Sequence, residues 1–216
     1  MAQTVPEVDV KQGETAPEPR IRLPEVPLDF GWQSPPASWE VQGGILTIRA
    51  AAATDLFVDP SGAPAVRTAP RLLGLIAGDF LLSARVTVEF QARFDAGALL
   101  LHLDAKRWAK LCFENAPGNE PTVVSVVTRG ASDDCNSYPQ EANTCWLRIA
   151  RRGGAFAFHS SDDGTTWKLV RHFALGPVDE VAAGFVAQSP VGDGCTVRFD
   201  SIRLRRELLS DLRNGE

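Results

Sequence analysis

The sequence predicts an all-β fold, a sandwich of two antiparallel sheets. Short stretches in which apolar and polar residues alternate recur through most of the chain, and turn-forming residues separate them at intervals of roughly ten residues. Residues 80–90 show the clearest alternation, with an apolar side chain at every second position, which excludes a helix there. About ten to thirteen such stretches are present, more than an immunoglobulin domain has, so two large packed sheets are favoured.

The predicted strands follow one another with short connections. In chain order they are residues 44–50, 80–90, 99–103, 109–113, 121–128, 146–151, 155–160, 166–173, 181–188 and 195–205. Glycine, proline, asparagine and aspartate separate them, for example at residues 117–119, 153–154 and 192–194. These residue types favour tight turns, so neighbouring strands are expected to pair in antiparallel fashion.

The chain is predicted to hold one folded domain between two short terminal segments. Its 216 residues, 44% of them hydrophobic and 23% charged, suffice for a single core. Residues 1–22 are rich in proline and acidic side chains and are expected to form a disordered or loosely packed tail. Residues 23–206 carry the alternating pattern of the sandwich. Residues 207–216 are predicted to form a short C-terminal helix or tail, because Leu208, Leu209 and Leu212 follow a helical spacing.

Charge and cysteine usage exclude several classes of function. The formal net charge is −5 without a Lys/Arg-rich run, which excludes electrostatic binding to nucleic acid or to an anionic membrane. There is neither an 18-residue apolar stretch nor a signal peptide, so a cytoplasmic protein is expected. The cysteines lack the C-x2-C spacing of zinc sites, so neither a metal nor another cofactor is expected. Reduced thiols are favoured, with Cys135 and Cys145 as the pair that could form a disulfide.

Residues 160–167 match the S-x-D-x-G-x-T-W pattern of a hairpin turn known as an Asp-box. The pattern predicts a positive φ at Gly164, bonds from Asp162 and Thr166 to turn amides, and Trp167 folded over the corner. A calcium site at Asp162 and Asp163 is the alternative, but it would need several further oxygen ligands. The turn interpretation is therefore preferred.

Strand parity selects candidate ligand-binding residues, because each strand of a sandwich has one face in the core and one outside. If the leucines of strand 99–103, together with Leu111 and Phe113, face inward, the outward residues are His102, Asp104, Trp108, Lys110, Cys112 and Glu114. On strand 146–151 the outward residues include Trp146 and Arg148. Aromatic faces stack on sugar C–H groups and charged groups bind hydroxyls, so this set suits a saccharide.

Each candidate also has a structural interpretation. Lys110 and Glu114 would form a solvated strand face with a weak ion pair. Trp108 and Trp146 would cover a sheet edge, and His102 would be a hydrogen-bonded structural residue. No G-x-S-x-G motif supports a serine nucleophile.

Six ordered segments resemble a family whose function is undefined for most members. They are Thr54-Asp55-Leu56-Phe57 for the family's T-D-F-W, Gly78-Asp79-Phe80 for G-D-F, residues 94–99 for Y-D-Q-A-G-L, residues 108–114 for W-x-K-x-x-x-E, residues 125–128 for S-V-V-T, and Ser132-Asp133 for the start of S-D-W-S. From about residue 28 to 205, the chain is similar to the family that includes the yeast regulation-of-enolase protein. That family lies in the concanavalin A-like lectin/glucanase superfamily.

The resemblance implies a concanavalin A-like jelly-roll sandwich. Its concave sheet would present Lys110, Glu114 and Thr128, with Asp55, Ser125 and Asp133 close by. The S-D-W-S motif departs after Asp133 to Asp134 and Cys135. Glycosidases of the superfamily carry E-x-D-x-x-E, whereas Cys112 and Ala116 stand two positions on either side of Glu114 here, so retaining hydrolysis by that carboxylate pair is not expected.

Three functional hypotheses follow, and the non-enzymatic one is preferred. It is a carbohydrate-binding or regulatory β-sandwich in sugar metabolism, with a saccharide or sugar phosphate as ligand. Its candidate ligand-binding residues are Trp108, Lys110, Glu114, Thr128, His102, Ser125, Asp133, Trp146 and Arg148. The second hypothesis is a sugar-processing enzyme with Glu114 as acid or base. The third is a protein–protein interaction module with a protein partner and no small ligand.

Overall fold

The computed structural model describes residues 20–216, which form strands joined by turns and loops. The strands in chain order are β1 (Ile21–Arg22), β2 (Asp29–Ser34), β3 (Ser38–Gln42), β4 (Ile45–Ala51), β5 (Leu56–Phe57), β6 (Val66–Arg67), β7 (Arg71–Ala77), β8 (Phe80–Glu89), β9 (Ala96–Asp104), β10 (Arg107–Asn115), β11 (Pro121–Arg129), β12 (Ala131–Pro139), β13 (Thr144–Arg152), β14 (Ala155–Ser161), β15 (Lys168–Phe173), β16 (Glu180–Gln188) and β17 (Gly194–Arg205).

Two large antiparallel sheets form a sandwich, as the sequence predicts. The first sheet has eight strands in the order β1-β2-β7-β16-β9-β10-β11-β12, and the second has seven in the order β15-β14-β13-β8-β17-β4-β3. Strands β5 and β6 pair with each other in a small separate sheet. Neighbours in the large sheets are often distant in sequence, as for β16 beside β9 and β17 beside β8.

The core lies between the two sheets, and strand parity assigns it correctly. Leu99, Leu101, Leu111 and Phe113 of the first sheet are fully buried in one cluster with Leu147 and Phe158 of the second. Each long strand contributes alternate side chains to this cluster, because successive residues of a strand point to opposite faces. The outward side chains are therefore free to build the two outer surfaces of the sandwich.

The predicted C-terminal helix is wrong. Residues 206–216 contain no helix and lie against the outer face of the second sheet, where Leu209 and Leu212 pack against Ala150 and Ala157. An isolated helix this short is marginal, and side chains of the sheet bind the carbonyls of the segment instead. Within residues 20–216, no helix of the length and apolar character needed to cross a membrane is present.

Several strands of the structure were not predicted from the sequence pattern. The largest is β12, an edge strand of sequence ASDDCNSYP whose side chains are mostly exposed. Because a solvated edge strand buries little, its sequence lacks apolar alternation. Ile21 and Arg22, predicted in the tail, form β1, while the remaining tail residues up to 19 lie outside the described part of the chain.

The Asp-box does join β14 to β15, but a different aspartate holds it. Asp163 accepts hydrogen bonds from the backbone N–H groups of Thr165 and Thr166, both at 2.7 Å, and from the Ser161 hydroxyl at 2.9 Å. Asp162, expected in that role, forms an exposed ion pair with Lys168. Gly164 has the expected positive φ of 75°.

All four cysteines are free thiols. Cys145 lies in the core between the sheets, whereas Cys135 is exposed on β12. Burial raises the pKa of Cys145 far above its ordinary value, which keeps the thiol protonated and inert.

Candidate functional site

A cavity of about 300 Å³ opens on the outer face of the eight-stranded sheet. We call it the acidic cavity. Its polar lining is formed by Asp55, Lys110, Glu114, Asp134 and Gln188, and its apolar lining by Phe57, Phe94, Val124, Val126, Pro190 and Val191. It therefore combines three carboxyl groups and one ammonium group with two aromatic rings.

A covering segment, residues 52–70, forms one wall of the acidic cavity. Its backbone is bridged to Ser189, the residue that follows β16, because Thr54 and Ser189 exchange backbone hydrogen bonds of 3.1 and 3.2 Å. Leu56, only 1% exposed, fills a second apolar cluster with Trp108 and Val126 on the outer face of the sheet. Because the cover rests on this cluster, the outer face of the sheet is buried beneath it, and the acidic cavity opens beside the covered part.

The far end of the covering segment is tied to β12 by hydroxyl groups. The Val58 N–H donates to the Ser132 hydroxyl at 3.0 Å, and the Ser132 N–H donates to the Val58 carbonyl at 2.8 Å. Thr128 shares a 2.9 Å hydrogen bond with Ser132. Thr128 and Ser132 thus position the cover and make no contact with the cavity itself.

Lys110 is the buried cation of the acidic cavity. Its side chain is only 2% exposed, and its Nζ donates to Gln188 Oε1 at 2.8 Å and to Asp55 Oδ1 at 3.4 Å. Burial disfavours the ammonium, but the electrostatic influence of Cys112, Asp55 and Glu114 and the hydrogen bond to Asp55 together outweigh it, so the pKa of Lys110 lies above its ordinary value. Lys110 is therefore a fixed positive charge and not a nucleophile.

Glu114 is the perturbed acid of the acidic cavity. Burial raises its pKa to about 7, further supported by the negative charges of Asp55 and Asp134 and opposed by Lys110. Among residues 20–216, no group donates a hydrogen bond to its carboxyl and no cation lies within 4.0 Å of it. A carboxyl in this state can exchange a proton near neutral pH and has free lone pairs for a ligand.

The aromatic wall at Phe94 is held in a strained conformation. Phe94 has a φ of 67°, which is uncommon for a residue with a side chain. The loop is secured by Asp95, which is fully buried and accepts bonds from the N–H groups of Gln91 and Ala92 and from the Ser189 hydroxyl. The Phe94 carbonyl also accepts a bond from Gln188 Nε2. Such strain is kept only where the surroundings enforce it, so the ring position is built into the site.

The structure brings together two of the predicted ligand-binding residues, Lys110 and Glu114, in the acidic cavity. Trp108 is fully buried beneath the covering segment and presents no surface for stacking. Ser125 lies opposite Leu111 and points into the core between the sheets. His102 and Asp133 lie outside the cavity, and Asp133 forms an ion pair with Arg171.

Trp146 and Arg148 belong to the other sheet. They lie on β13, and their outward side chains line a separate cavity, about 310 Å³ in volume, on the outer face of the seven-stranded sheet. Strand parity correctly gave Arg148 as outward, but it could not tell which of the two outer faces the residue occupies. The candidate residues named together in the sequence analysis are therefore divided between two cavities on opposite sheets.

Asp55, which the family resemblance places near Lys110 and Glu114, does line the acidic cavity, but four of its polar and aromatic residues were missed. Phe57 lies in the two-residue strand β5 and Phe94 in a turn, and neither element is long enough for alternation to carry a signal, although both residues fall within segments that resemble family motifs. Asp134 lies on β12 opposite Val126, and recognising β12 as a strand would have placed it two residues from Ser132 on the same face. Gln188 ends β16 with the outward parity of Val186.

No cluster of three His, Cys, Asp or Glu side chains able to hold a metal ion occurs among the described residues, 20–216. Asp55, Glu114 and Asp134 line the cavity without forming such a cluster.

Comparisons with known proteins agree with this architecture. The model of a family described as "Protein of unknown function (DUF1349)" matches residues 32–207. A functionally unknown protein of Saccharomyces cerevisiae has a solved structure with a TM-score of 0.78 and 25% identity, covering 83% of this chain and 97% of the yeast chain. A search of the curated proteins found no match.

Two further solved structures share the fold at lower identity. The carbohydrate binding module CBM66 from Bacillus subtilis matches with a TM-score of 0.52 and 19% identity, covering 81% of this chain and 95% of the module. The GH43 protein BlXynB from Bacillus licheniformis matches with a TM-score of 0.65 and 15% identity, covering 82% of this chain. The match spans only 37% of the BlXynB chain.

Proposed function

The chain belongs to the DUF1349 family, and from the geometry of its acidic cavity we propose that it binds one uncharged sugar unit of a saccharide. The observation that carries the proposal is the free carboxyl of Glu114 beside the fixed ammonium of Lys110, within a cavity that aromatic rings enclose. A saccharide-binding role also agrees with the fold shared with a carbohydrate binding module.

The size and walls of the cavity suit a single sugar ring. At about 300 Å³, it lies at the lower end of the volumes of small-molecule pockets. Phe57 and Phe94 offer ring surface to the C–H groups of a sugar, and the valines beside them exclude water. A larger oligosaccharide would have to place its remaining units outside.

The charges favour an uncharged sugar over a sugar phosphate. Three carboxyl groups line the cavity, while the only lysine lining it already donates to Gln188 and Asp55. A phosphate would meet negative potential there, whereas sugar hydroxyls can donate to carboxylates and form strong, charge-assisted hydrogen bonds. Glu114 and Asp134 are the acceptors that no described group occupies.

The proposal is tested by isothermal titration calorimetry with xylose, arabinose, glucose and their short oligomers. We expect saturable binding of at least one neutral sugar. In Asp134→Asn the binding should be roughly tenfold weaker, because one charge-assisted hydrogen bond is lost. Asp133→Asn is the matched control, because Asp133 neighbours Asp134 on β12 but lies outside the cavity. Absence of binding across the panel, or equal losses in both variants, would contradict the proposal.

A second candidate function is acid or base catalysis on a bound sugar by Glu114. The specific observation in its favour is the pKa of Glu114, raised to about 7 by burial, which suits a general acid near neutral pH. The test is turnover of aryl glycosides by the wild-type protein and Glu114→Gln. Catalysis predicts at least a hundredfold loss of turnover in the variant with the sugar still bound, whereas absent or unchanged turnover would reject this role and leave the binding function.

A further inference from the structure

The second cavity, on the outer face of the seven-stranded sheet, has the opposite electrostatic character. We call it the arginine cavity. It is about 310 Å³ in volume, and the residues that matter here are Ser83, Trp146, Arg148, Trp167, Arg203 and Arg205. Three guanidinium groups and two indole rings therefore surround one hollow.

The register of three neighbouring strands brings the cations together. Ser83 on β8 lies directly opposite Arg148 on β13 and directly opposite Arg203 on β17. Since neighbouring strands are about 4.8 Å apart, the two arginines flank a hydroxyl group on one face of the sheet. The two arginines lie two strand spacings apart, and a negative group placed between them would relieve their mutual repulsion.

Arg148 is held rigidly but is incompletely paired. Its side chain is 94% buried, with its guanidinium 4.2 Å from the centre of the Trp167 ring. Nη2 donates to the Gly215 carbonyl at 2.8 Å, while Nε is shielded from water and has no partner among the described residues. Burial lowers its pKa to about 10, so this cation lacks the compensation that a buried charge normally has.

The other charged groups of the arginine cavity leave it positive. Arg203 is exposed and forms no ion pair or hydrogen bond with another described residue, and Arg205 has only a 3.4 Å contact with Glu207. Asp163 is the carboxylate that lines the cavity, and its oxygens already accept the turn amides of Thr165 and Thr166. Those bonds hold its pKa well below the usual range and fix it in the turn.

We propose that the arginine cavity binds an oxyanion carried on a sugar ring, as in a sugar phosphate or a uronate. Guanidinium groups bind carboxylate and phosphate oxygens in paired hydrogen bonds, and Arg148, Arg203 and Ser83 supply donors on both sides of one position. Trp146 and Trp167 are half-buried and offer the apolar surface for the ring. The site is independent of the acidic cavity, because the two lie on opposite sheets.

The test is titration calorimetry of the full chain with glucose 6-phosphate, glucuronate, inorganic phosphate and glucose. We expect saturable binding of both anionic sugars, weakened by added salt, and a loss of at least tenfold in Arg203→Gln and in Arg205→Gln. These side chains are exposed, so the variants should fold normally. Arg198→Gln is the matched control, since Arg198 lies on the same strand but does not line the cavity.

The outcomes separate this proposal from the function proposed for the acidic cavity. Binding of an anionic sugar that Arg203→Gln abolishes and Asp134→Asn preserves would support the arginine cavity, even if neutral sugars do not bind. Equal losses of affinity in Arg198→Gln and Arg203→Gln would show that only the overall charge attracts the ligand, and would overturn the proposal. Affinity that falls in Asp134→Asn alone, or no binding of either anionic sugar, would also overturn it. Inorganic phosphate binding as tightly as glucose 6-phosphate would overturn the role of the sugar ring.

Discussion

The two outer faces of the sandwich differ in how their covers are attached and in the charge of the cavity that each face carries. The covering segment over the eight-stranded sheet is held mainly by backbone groups and by the hydroxyls of Thr54 and Ser132, with one ion pair between its Asp55 and Lys110. Residues 206–216 over the seven-stranded sheet are held by Arg148, Arg152 and His159, which bind their carbonyls. Arg148 is the residue common to both roles, since it holds residues 206–216 and also lines the arginine cavity.

The largest expected effect concerns the single buried cation of the acidic face. Lys110→Met keeps the volume but removes the partner of Asp55 and Gln188, and we expect a loss of about 4 kcal/mol in the free energy of unfolding, as for other broken buried ion pairs. Urea denaturation measures it. Lys168→Met breaks an exposed pair with Asp162 and should cost under about 1 kcal/mol. Equal costs for the two variants would show that the pair in the acidic cavity is solvated.

The two faces should also respond to pH in opposite directions. In the unfolded chain Glu114 releases its proton near its ordinary pKa of 4.5, whereas the folded protein holds it to a pKa of about 7. Its contribution to the free energy of unfolding, about 3 kcal/mol, is fully present below pH 4.5 and is lost as the pH rises through 7. The pH dependence of unfolding in wild type and Glu114→Gln isolates this contribution. If the difference in unfolding free energy between wild type and Glu114→Gln did not decrease from pH 4.5 to pH 7, the raised pKa of Glu114 would be contradicted.

His159, on the seven-stranded sheet, should give the opposite slope. Burial, together with the charge of Arg148, lowers its pKa to about 4, although its bond to the Leu212 carbonyl acts against the shift. In the unfolded chain this histidine binds a proton below about pH 6.5, whereas in the folded protein it stays neutral until about pH 4. It therefore contributes about 3 kcal/mol to the free energy of unfolding above pH 6.5, and this contribution is lost as the pH falls through 4. His159→Gln can still donate to Leu212 but does not titrate. His159→Gln should therefore abolish the loss of stability at acid pH but preserve the pH dependence that Glu114 causes. Urea denaturation at a series of pH values measures both.

Comparison of the faces also shows what the sequence can and cannot predict. Alternation along β8, β9 and β10 correctly identifies the side chains that face the core between the sheets. On β9 and β10 it does not separate buried from exposed residues, because the outward side chains there are buried as well. It cannot assign Arg148 to a sheet, because β13 pairs with β8, far away in the chain. The covering segment lacks a period and residues 206–216 have a helical spacing without forming a helix, so local patterns predicted neither the burial of Trp108 nor the path of residues 206–216 across the second sheet.

Truncating the apolar anchor of each cover compares their contributions to stability. Leu56→Ala removes a side chain that is 1% exposed in a large cluster, and we expect a cost of about 3 kcal/mol. Leu212→Ala acts on a smaller cluster at 8% exposure and should cost about 2 kcal/mol. Thermal unfolding of the two variants measures the difference. A reversed order would mean that residues 206–216 contribute more to stability than the covering segment.

The smallest effect tests the turn that borders the arginine cavity. Gly164 has a φ of 75°, and a Cβ there would lie 2.7 Å from the Trp146 ring. Gly130 has a φ of 91° with open space around it, so Gly130→Ala should cost about 1 kcal/mol for conformation alone. Gly164→Ala should cost about 1 kcal/mol more, because the Trp146 ring must move. Chemical denaturation of both variants measures the excess, and equal costs would show that Trp146 is free to shift and does not form a rigid wall of the arginine cavity.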